Sequence, residues 1–176
     1  MARVQSTTTQ RVETTTTSTT VPRPAPGLAD GVPAPRVNDR GTDYVAIARS
    51  LVDYGRWLEW HHPDSALVER AYEQYSDLAK SMKTALVELR SRRERIQEVD
   101  RAPLDLKVMS ALPRLVSFQL TEQVARRDLV GTNGRRLDHV GAVTEHYILL
   151  MMRSYRDSPW RLCVVDHPDS PVEVKL

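Results

Sequence analysis

The sequence predicts an α+β domain in which three helices pack on one face of a curved antiparallel sheet of four to six strands. Apolar residues recur at helical spacing from Tyr44 to about residue 93, and strand-length alternation replaces this pattern from about Ile96 onward. Before both lies a segment rich in threonine and proline. Helices followed by a run of strands are typical of an α+β domain with the helices on one side of the sheet.

The leading segment has the composition of a tether. Residues 1–20 contain nine threonines and two serines, and residues 21–35 contain five prolines. Such a stretch buries too little apolar surface to offset its ordering entropy, and proline makes it extended. We therefore expect a disordered tether over residues 1–40, a folded domain over 41–170 and a short tail over 171–176. The segment suggests an extracytoplasmic location if a membrane anchor precedes it, and a cytoplasmic one otherwise.

The helical half divides at Pro63. Thr42 is the expected N-cap of the first helix. Its apolar face comprises Tyr44, Ile47, Ala48, Leu51, Gly55 and Leu58. Asp64 or Ser65 is expected to cap a short second helix, whose apolar face comprises Leu67, Ala71 and Tyr75. A third helix carries an apolar stripe from Leu78 to Leu89 and on to Arg93.

The second half of the chain has the pattern of an antiparallel meander, in which consecutive strands pair with one another. The apolar residues Val116, Phe118, Leu120 and Val124 alternate with polar ones, as in a half-buried strand. Asn133-Gly134 is a strong hairpin signal. A long strand is then predicted from about residue 140 to 155, followed by a turn at 156–159 and a last core strand in the stretch WRLCVV, residues 160–165.

This order and the ending RRLDHVGAVTEHYILLMMRSYRDSPWRLCVVD resemble the nuclear-transport-factor-like superfamily of cone-shaped α+β domains. The resemblance covers roughly residues 42–167 and rests on a long strand, a tight turn and then Trp160-Arg161-Leu162. It implies a pocket between the concave sheet face and the helices. The superfamily includes ketosteroid-isomerase-like and polyketide-cyclase-like enzymes, non-catalytic binding domains, and tethered actinobacterial domains, which this chain resembles in its stalk and its arginine-rich composition.

Composition argues against several classes of function. The net charge is only +2, and the basic run RSRRER, residues 90–95, has no aromatic residues interleaved with it, so a nucleic-acid partner is not expected. No stretch approaches the roughly twenty apolar residues of a membrane span. The chain has one cysteine, Cys163, and no glycine-rich phosphate loop. The adjacent His61 and His62 lack a spaced partner, so we expect neither a metal nor a cofactor.

The candidate catalytic residues are acids and histidines that a pocket wall could present as a base. They are Glu122, Asp128, His139, Glu145 and His146. Glu145 and His146 are adjacent on one strand and must point to opposite faces, so only one can enter the pocket. Both rows of that strand are apolar beyond these residues, so alternation alone does not decide between them. We commit to no catalytic residue, with Glu122, Glu145 and His146 as the candidates.

The candidate partner surface is aromatic. Trp57 and Trp60 lie off the apolar stripe of the first helix, and with Tyr54 they are expected to form an exposed patch. The sequence therefore favours a non-catalytic domain that binds a protein or itself, as an accessory of an envelope-associated system. The alternative is an enzyme or a binder of a small apolar ligand that uses the pocket. A pocket-facing acid with a raised pKa in an open cavity would favour this alternative.

Overall fold

The computed structural model describes residues 33–61 and 65–166 and confirms the predicted fold class. Its helices are α1 (Tyr44–His61), a 3₁₀ helix (Ser65–Arg70) and α2 (Asp77–Arg92). Its strands are β1 (Glu94–Arg101), β2 (Asp105–Leu112), β3 (Leu115–Gly131), β4 (Arg136–Val140), β5 (Val143–Met152) and β6 (Arg161–Asp166). The helices cover one face of the curved six-stranded sheet.

The sheet is built around β3, which is 17 residues long. Strands β1 and β2 follow one another along one edge of β3, and β4 and β5 follow one another along the other. Strand β6 pairs with β5, and all five pairings are antiparallel. Register shifts within the β2, β4 and β6 pairings bend the sheet, because each extra residue increases the local twist.

The core lies between α1 and the concave sheet face. Alternate residues of β3, among them Val116 and Phe118, are fully buried and meet the apolar face of α1. Phe118, Leu149 and Leu162 of the sheet belong to one buried cluster with Leu51 and Leu86 of the helices. Leu120 is buried as well but faces a cavity, and Leu89 lies outside the cluster.

Three sequence predictions about the elements need correction. The expected strand 140–155 is the shorter β5, and a separate strand that the sequence did not predict, β4, precedes it; Gly141 and Ala142 lie between the two. Tyr75 is exposed, because the second helix is a 3₁₀ turn that ends at Arg70. The first turn of α1 is capped by Asp43 rather than Thr42, since Asp43 Oδ1 accepts the Ala46 N–H at 3.0 Å.

The folded unit begins before residue 40, where the sequence analysis placed the end of the tether. Val37 packs against the core, and the Asn38 N–H donates to Ser50 Oγ of α1 at 3.0 Å. Asp39 accepts a hydrogen bond from Arg161 Nη1 at 2.8 Å. Residues 33–40 therefore belong to the folded unit. The rest of the predicted tether, residues 1–32, and the predicted tail, 171–176, lie outside the described residues.

Leu149 and Leu150 offer a matched test of this register. Leu149 is completely buried on the helix-covered face, whereas its neighbour Leu150 lies half-buried on the opposite face. Leu149→Ala is expected to lower the free energy of unfolding by about 2–5 kcal/mol, because it leaves a cavity in the core. Leu150→Ala should cost clearly less in the same urea titration. Equal losses, or a larger loss for Leu150→Ala, would show that the faces are assigned the wrong way round.

Candidate functional site

A cavity of about 290 Å³ opens between α1, α2 and the concave face of the sheet. Its apolar wall is formed by Val52, Leu78, Met82, Ile96, Leu120, Leu149, Leu162 and Val165. Its polar wall is formed by Arg56, Glu59, Tyr72, Glu98, Glu122, Arg127 and Tyr147. The core is therefore open at one end, and charged side chains gather there.

Arg56 ties α1 to the sheet. Its Nε lies 3.2 Å from Glu98 Oε2 of β1 in an ion pair, and its Nη2 donates to Glu122 of β3. The same guanidinium reaches Asp53 Oδ1, one helical turn earlier, at 3.5 Å. Glu122 continues the buried row of β3 and is itself buried, so its charge depends on this pairing.

Arg127 of β3 holds a second set of carboxylates. Its Nη2 lies 3.3 Å from both Glu98 Oε1 and Glu145 Oε2, and 3.8 Å from Glu122 Oε2. The Tyr147 hydroxyl donates to Glu145 Oε2. Burial and then this bond to the Glu145 carboxylate raise the pKa of Tyr147. Two arginines thus share three glutamates across the floor of the cavity.

Glu59 is the carboxylate that these arginines do not hold. Among the described residues, no side chain forms an ion pair with it. Burial, and secondarily the negative charge of Glu98, raises the pKa of Glu59 to about 7, against the opposing effects of Arg127 and Arg56. Near neutral pH, Glu59 therefore exists in both protonation states.

The charges around the cavity do not balance. Arg101 joins the network through Asp53 Oδ1 at 2.7 Å and Glu98 Oε2 at 3.6 Å. Three guanidinium groups thus face four paired carboxylates, namely Asp53, Glu98, Glu122 and Glu145. An ionised Glu59 adds a fifth. The site has an excess of negative charge, which favours a positively charged group inside it.

Gly55 lets Tyr72 close the back of the cavity. The Tyr72 hydroxyl lies directly against the Gly55 Cα, where any Cβ would collide with it. Burial, and then the neighbouring Glu59, raises the pKa of Tyr72, so the phenol stays neutral. Glycine at this position is thus explained by close approach between helix and side chain.

The structure distinguishes among the predicted catalytic candidates. Glu122 lines the cavity, and Glu145 lies directly opposite it in the β3–β5 register, on the same face. His146 is exposed on the outer face, where its Nδ1 lies 3.1 Å from Thr121 Oγ1. His146 therefore does not reach the cavity. Asp128 pairs with Arg126 at 2.8 Å, and His139 is exposed on β4.

The predicted exposed aromatic patch is wrong for two of its three members. Tyr54 is completely buried, and Trp57 is only 8% exposed. Both belong to the core cluster, because the buried face of α1 is wider than the stripe read from the sequence. Trp60 is half-buried, with the Arg95 guanidinium 4.4 Å above its ring. These residues do not form a common surface.

Sequence reasoning missed four residues of the site, namely Arg56, Glu59, Glu98 and Arg127. A signal was present for two of them. Arg56 and Glu59 are three positions apart, beside the apolar stripe of α1, and therefore share a flank of the helix. Glu98 and Arg127 meet only through the β1–β3 register, in which Glu98 is opposite Arg127.

The described part of the chain shows neither a metal site nor a membrane helix. Residues 33–61 and 65–166 contain no group of three or more His, Cys, Asp or Glu side chains that could hold a metal ion. None of the described helices is long and apolar enough to cross a membrane. His61 is buried and lies 5.5 Å from the Trp57 ring, whereas His62 is not among the described residues.

Comparison with known proteins supports the fold alone. The chain is similar to the crystal structure of the intermembrane-space region of chloroplast protein ARC6. The TM-score is 0.54 at 9% sequence identity, over 73% of this chain and 98% of that one. No protein-family model matches the chain, and no curated protein sequence does. The resemblance to the nuclear-transport-factor-like superfamily stays a prediction.

Glu59 gives stability a specific pH dependence. Its pKa is about 7 in the fold, above the ordinary value of 4.5, so the folded state binds the proton more tightly than the unfolded state. This contribution to stability is full below pH 4.5 and is lost as the pH rises through 7. Glu59→Gln should therefore gain stability relative to wild type between pH 5 and pH 8, in parallel urea titrations.

Glu88→Gln, at an exposed position of α2, is the matched control. Its stability difference from wild type should stay nearly constant over the same pH range. A Glu59→Gln difference that is equally constant would contradict an elevated Glu59 pKa.

Proposed function

We propose that the cavity binds a small organic molecule with an apolar body and a positively charged group, and that this group pairs with Glu59. The observation that carries the proposal is the Glu59 carboxyl, which lies in an open cavity without an ion-pair partner among the described residues. Of the two functions that the sequence suggests, this one uses the features of the site directly.

The apolar wall sets the body of the ligand. Helix α2 contributes Leu78 and Met82 to one side, and the sheet contributes Leu120 and Leu149 to the other. A cavity of about 290 Å³ is at the lower end of the range for ligand sites, so it suits a ring or a short chain. Removing this surface from water supplies the affinity, at about 25 cal/mol per Å².

The polar wall sets the charge of the ligand. Arg56 and Arg127 already form ion pairs with carboxylates, so they have little capacity left to bind an anionic ligand. Glu59 instead gains a partner when an ammonium group enters. Such a pair in a partly buried site is stronger than the same pair in water. A neutral molecule of the same shape cannot form this ion pair, and an anionic molecule is repelled by the carboxylates.

Three probes with the same cyclohexyl body test the proposal, namely cyclohexylammonium, cyclohexanol and cyclohexanecarboxylate. At pH 8, where Glu59 is ionised, cyclohexylammonium is expected to bind wild type at least about tenfold more tightly than cyclohexanol, a difference of about 1.4 kcal/mol. Cyclohexanecarboxylate should bind most weakly. Chemical-shift titrations at millimolar probe concentration measure all three.

Glu59→Gln should abolish the preference for the ammonium probe, while Glu88→Gln retains it. Absence of binding by all three probes, or an unchanged preference in Glu59→Gln, would overturn the proposal. The shifted resonances should belong to the cavity wall, including Leu120 and Leu149.

Self-association is a second candidate, favoured by one observation at the β2–β3 hairpin. Four large apolar side chains are exposed there, namely Val108, Met109, Leu112 and Leu115. Another copy of this hairpin is the occupant that we propose, since the same patch then covers itself across a two-fold axis. Lys107 and the register shift after Val108 disfavour continuous edge pairing, so side-chain packing would carry this contact.

Sedimentation velocity at micromolar concentration tests this second candidate. Wild type should sediment as a dimer, and the double change Met109→Lys and Leu112→Lys should give a monomer. A wild type that remains monomeric, or a double variant that still dimerises, would remove the hairpin as the contact. The double change Val87→Lys and Leu137→Lys, at exposed apolar positions elsewhere, is the control and should leave the dimer intact.

A further inference from the structure

A second, larger cleft lies at the opposite end of α1 from Glu59, and its walls are rich in arginine. Its volume is about 710 Å³. Three segments meet around it: the residues that lead into α1, the β2–β3 turn at Pro113 and Arg114, and the loop that follows β5. The basic side chains that line it are Arg40, Arg114, Arg153 and Arg156.

These four arginines are not held by acidic side chains of the described residues, as Arg56, Arg127 and Arg161 are. The lining contains a single carboxylate, that of Asp157. The local excess of positive charge is hidden in the sequence, where the net charge of the whole chain is only +2.

The wall of the cleft is held in place. Arg153 donates from Nε to the Pro113 carbonyl at 2.8 Å and from Nη1 to the Arg156 carbonyl, and its guanidinium lies 4.5 Å from the centre of the Trp160 ring. Tyr44 meets the same indole edge-to-face at 5.6 Å. Because these contacts fix Arg153 and Tyr44, neither side chain needs much ordering when a ligand enters.

The helix dipole adds little here. The amino end of α1 borders the cleft, but Asp43 already caps it and places a negative charge beside it. The arginines must therefore supply the attraction for an anion. A planar guanidinium donates two parallel hydrogen bonds to an oxyanion such as phosphate, which a halide cannot accept. The terminal nitrogens of Arg114 and Arg156 can do this, whereas Arg153 keeps Nη2, since its Nε and Nη1 donate to carbonyls.

We infer that this cleft binds the phosphate group of a phosphorylated ligand between Arg114, Arg153 and Arg156. The volume exceeds that of a phosphate ion, and Tyr44 and Pro113 offer an apolar surface to the rest of the molecule. A soluble phosphate ester and the headgroup of an anionic lipid present the same chemistry. This inference is independent of the Glu59 cavity.

Inorganic pyrophosphate is the direct probe, measured by isothermal titration calorimetry at low ionic strength. We expect one site, and we expect the double variant Arg114→Gln and Arg156→Gln to bind at least about tenfold more weakly. Arg153 is left in place because its contacts with Trp160 and Pro113 support the fold. Raising the salt concentration should weaken binding by wild type more than binding by the double variant.

The control is the double variant Arg90→Gln and Arg92→Gln, at exposed positions in the last turn of α2. It removes the same charge from the chain but not from the cleft, so its affinity should match that of wild type. Equal losses of pyrophosphate affinity in the two double variants would mean that net charge alone attracts the anion, and would contradict the proposed site.

Vesicles of phosphatidylcholine with phosphatidic acid identify the source of the phosphate. Co-sedimentation that is lost in the Arg114/Arg156 double variant and retained in the Arg90/Arg92 variant supports the site, with a lipid headgroup as its ligand. Pyrophosphate binding without vesicle binding supports it with a soluble ligand. If wild type binds neither probe, the inference is wrong.

Discussion

The burial of carboxylates beneath α1 is the constraint on which the rest of this structure depends. Glu122 occupies a place in the buried row of β3 that Phe118 and Leu120 fill with apolar side chains. A buried charge without a partner costs several kcal/mol, so the helix above it must bring a cation. Arg56 does this and also binds Glu98 on β1. This pairing therefore acts together with the apolar core to fix where α1 crosses the sheet.

The same pairing explains why the core stays open at this end. A hydrated or ion-paired wall does not interdigitate with Leu78 and Met82 of α2 as an apolar wall would, so close packing stops where the charges begin. Catalysis by proton transfer would require a group such as Glu59 with a pKa near neutrality. Glu59 is such a group, and it lies on the wall of this opening beside the paired carboxylates.

The sequence predicts the architecture well because local patterns determine it. Helical spacing along α1, alternation along β3 and the Asn133-Gly134 turn each act over a few residues. The site depends instead on the register of the paired strands, which decides which side chains lie opposite one another. Glu145 and His146 are equivalent in the sequence, and only the pairing of Glu145 with Glu122 shows which one faces the helices. The burial of Tyr54 and Trp57 likewise depends on how widely the sheet curves around α1, which no local pattern encodes.

Opposite charges are segregated along α1, and the net charge of the chain conceals this. The helix is 18 residues long, or about 27 Å, and the arginine-lined cleft borders its amino end while Glu59 lies near its carboxyl end. This distance exceeds the Debye length at physiological ionic strength, about 8 Å, so the charges of one site have little electrostatic effect on a ligand at the other. A cation in the proposed Glu59 site and an anion in the proposed arginine site would therefore not compete. Helix α1 connects them rigidly, and any coupling between the two ligands would have to pass through its position on the sheet.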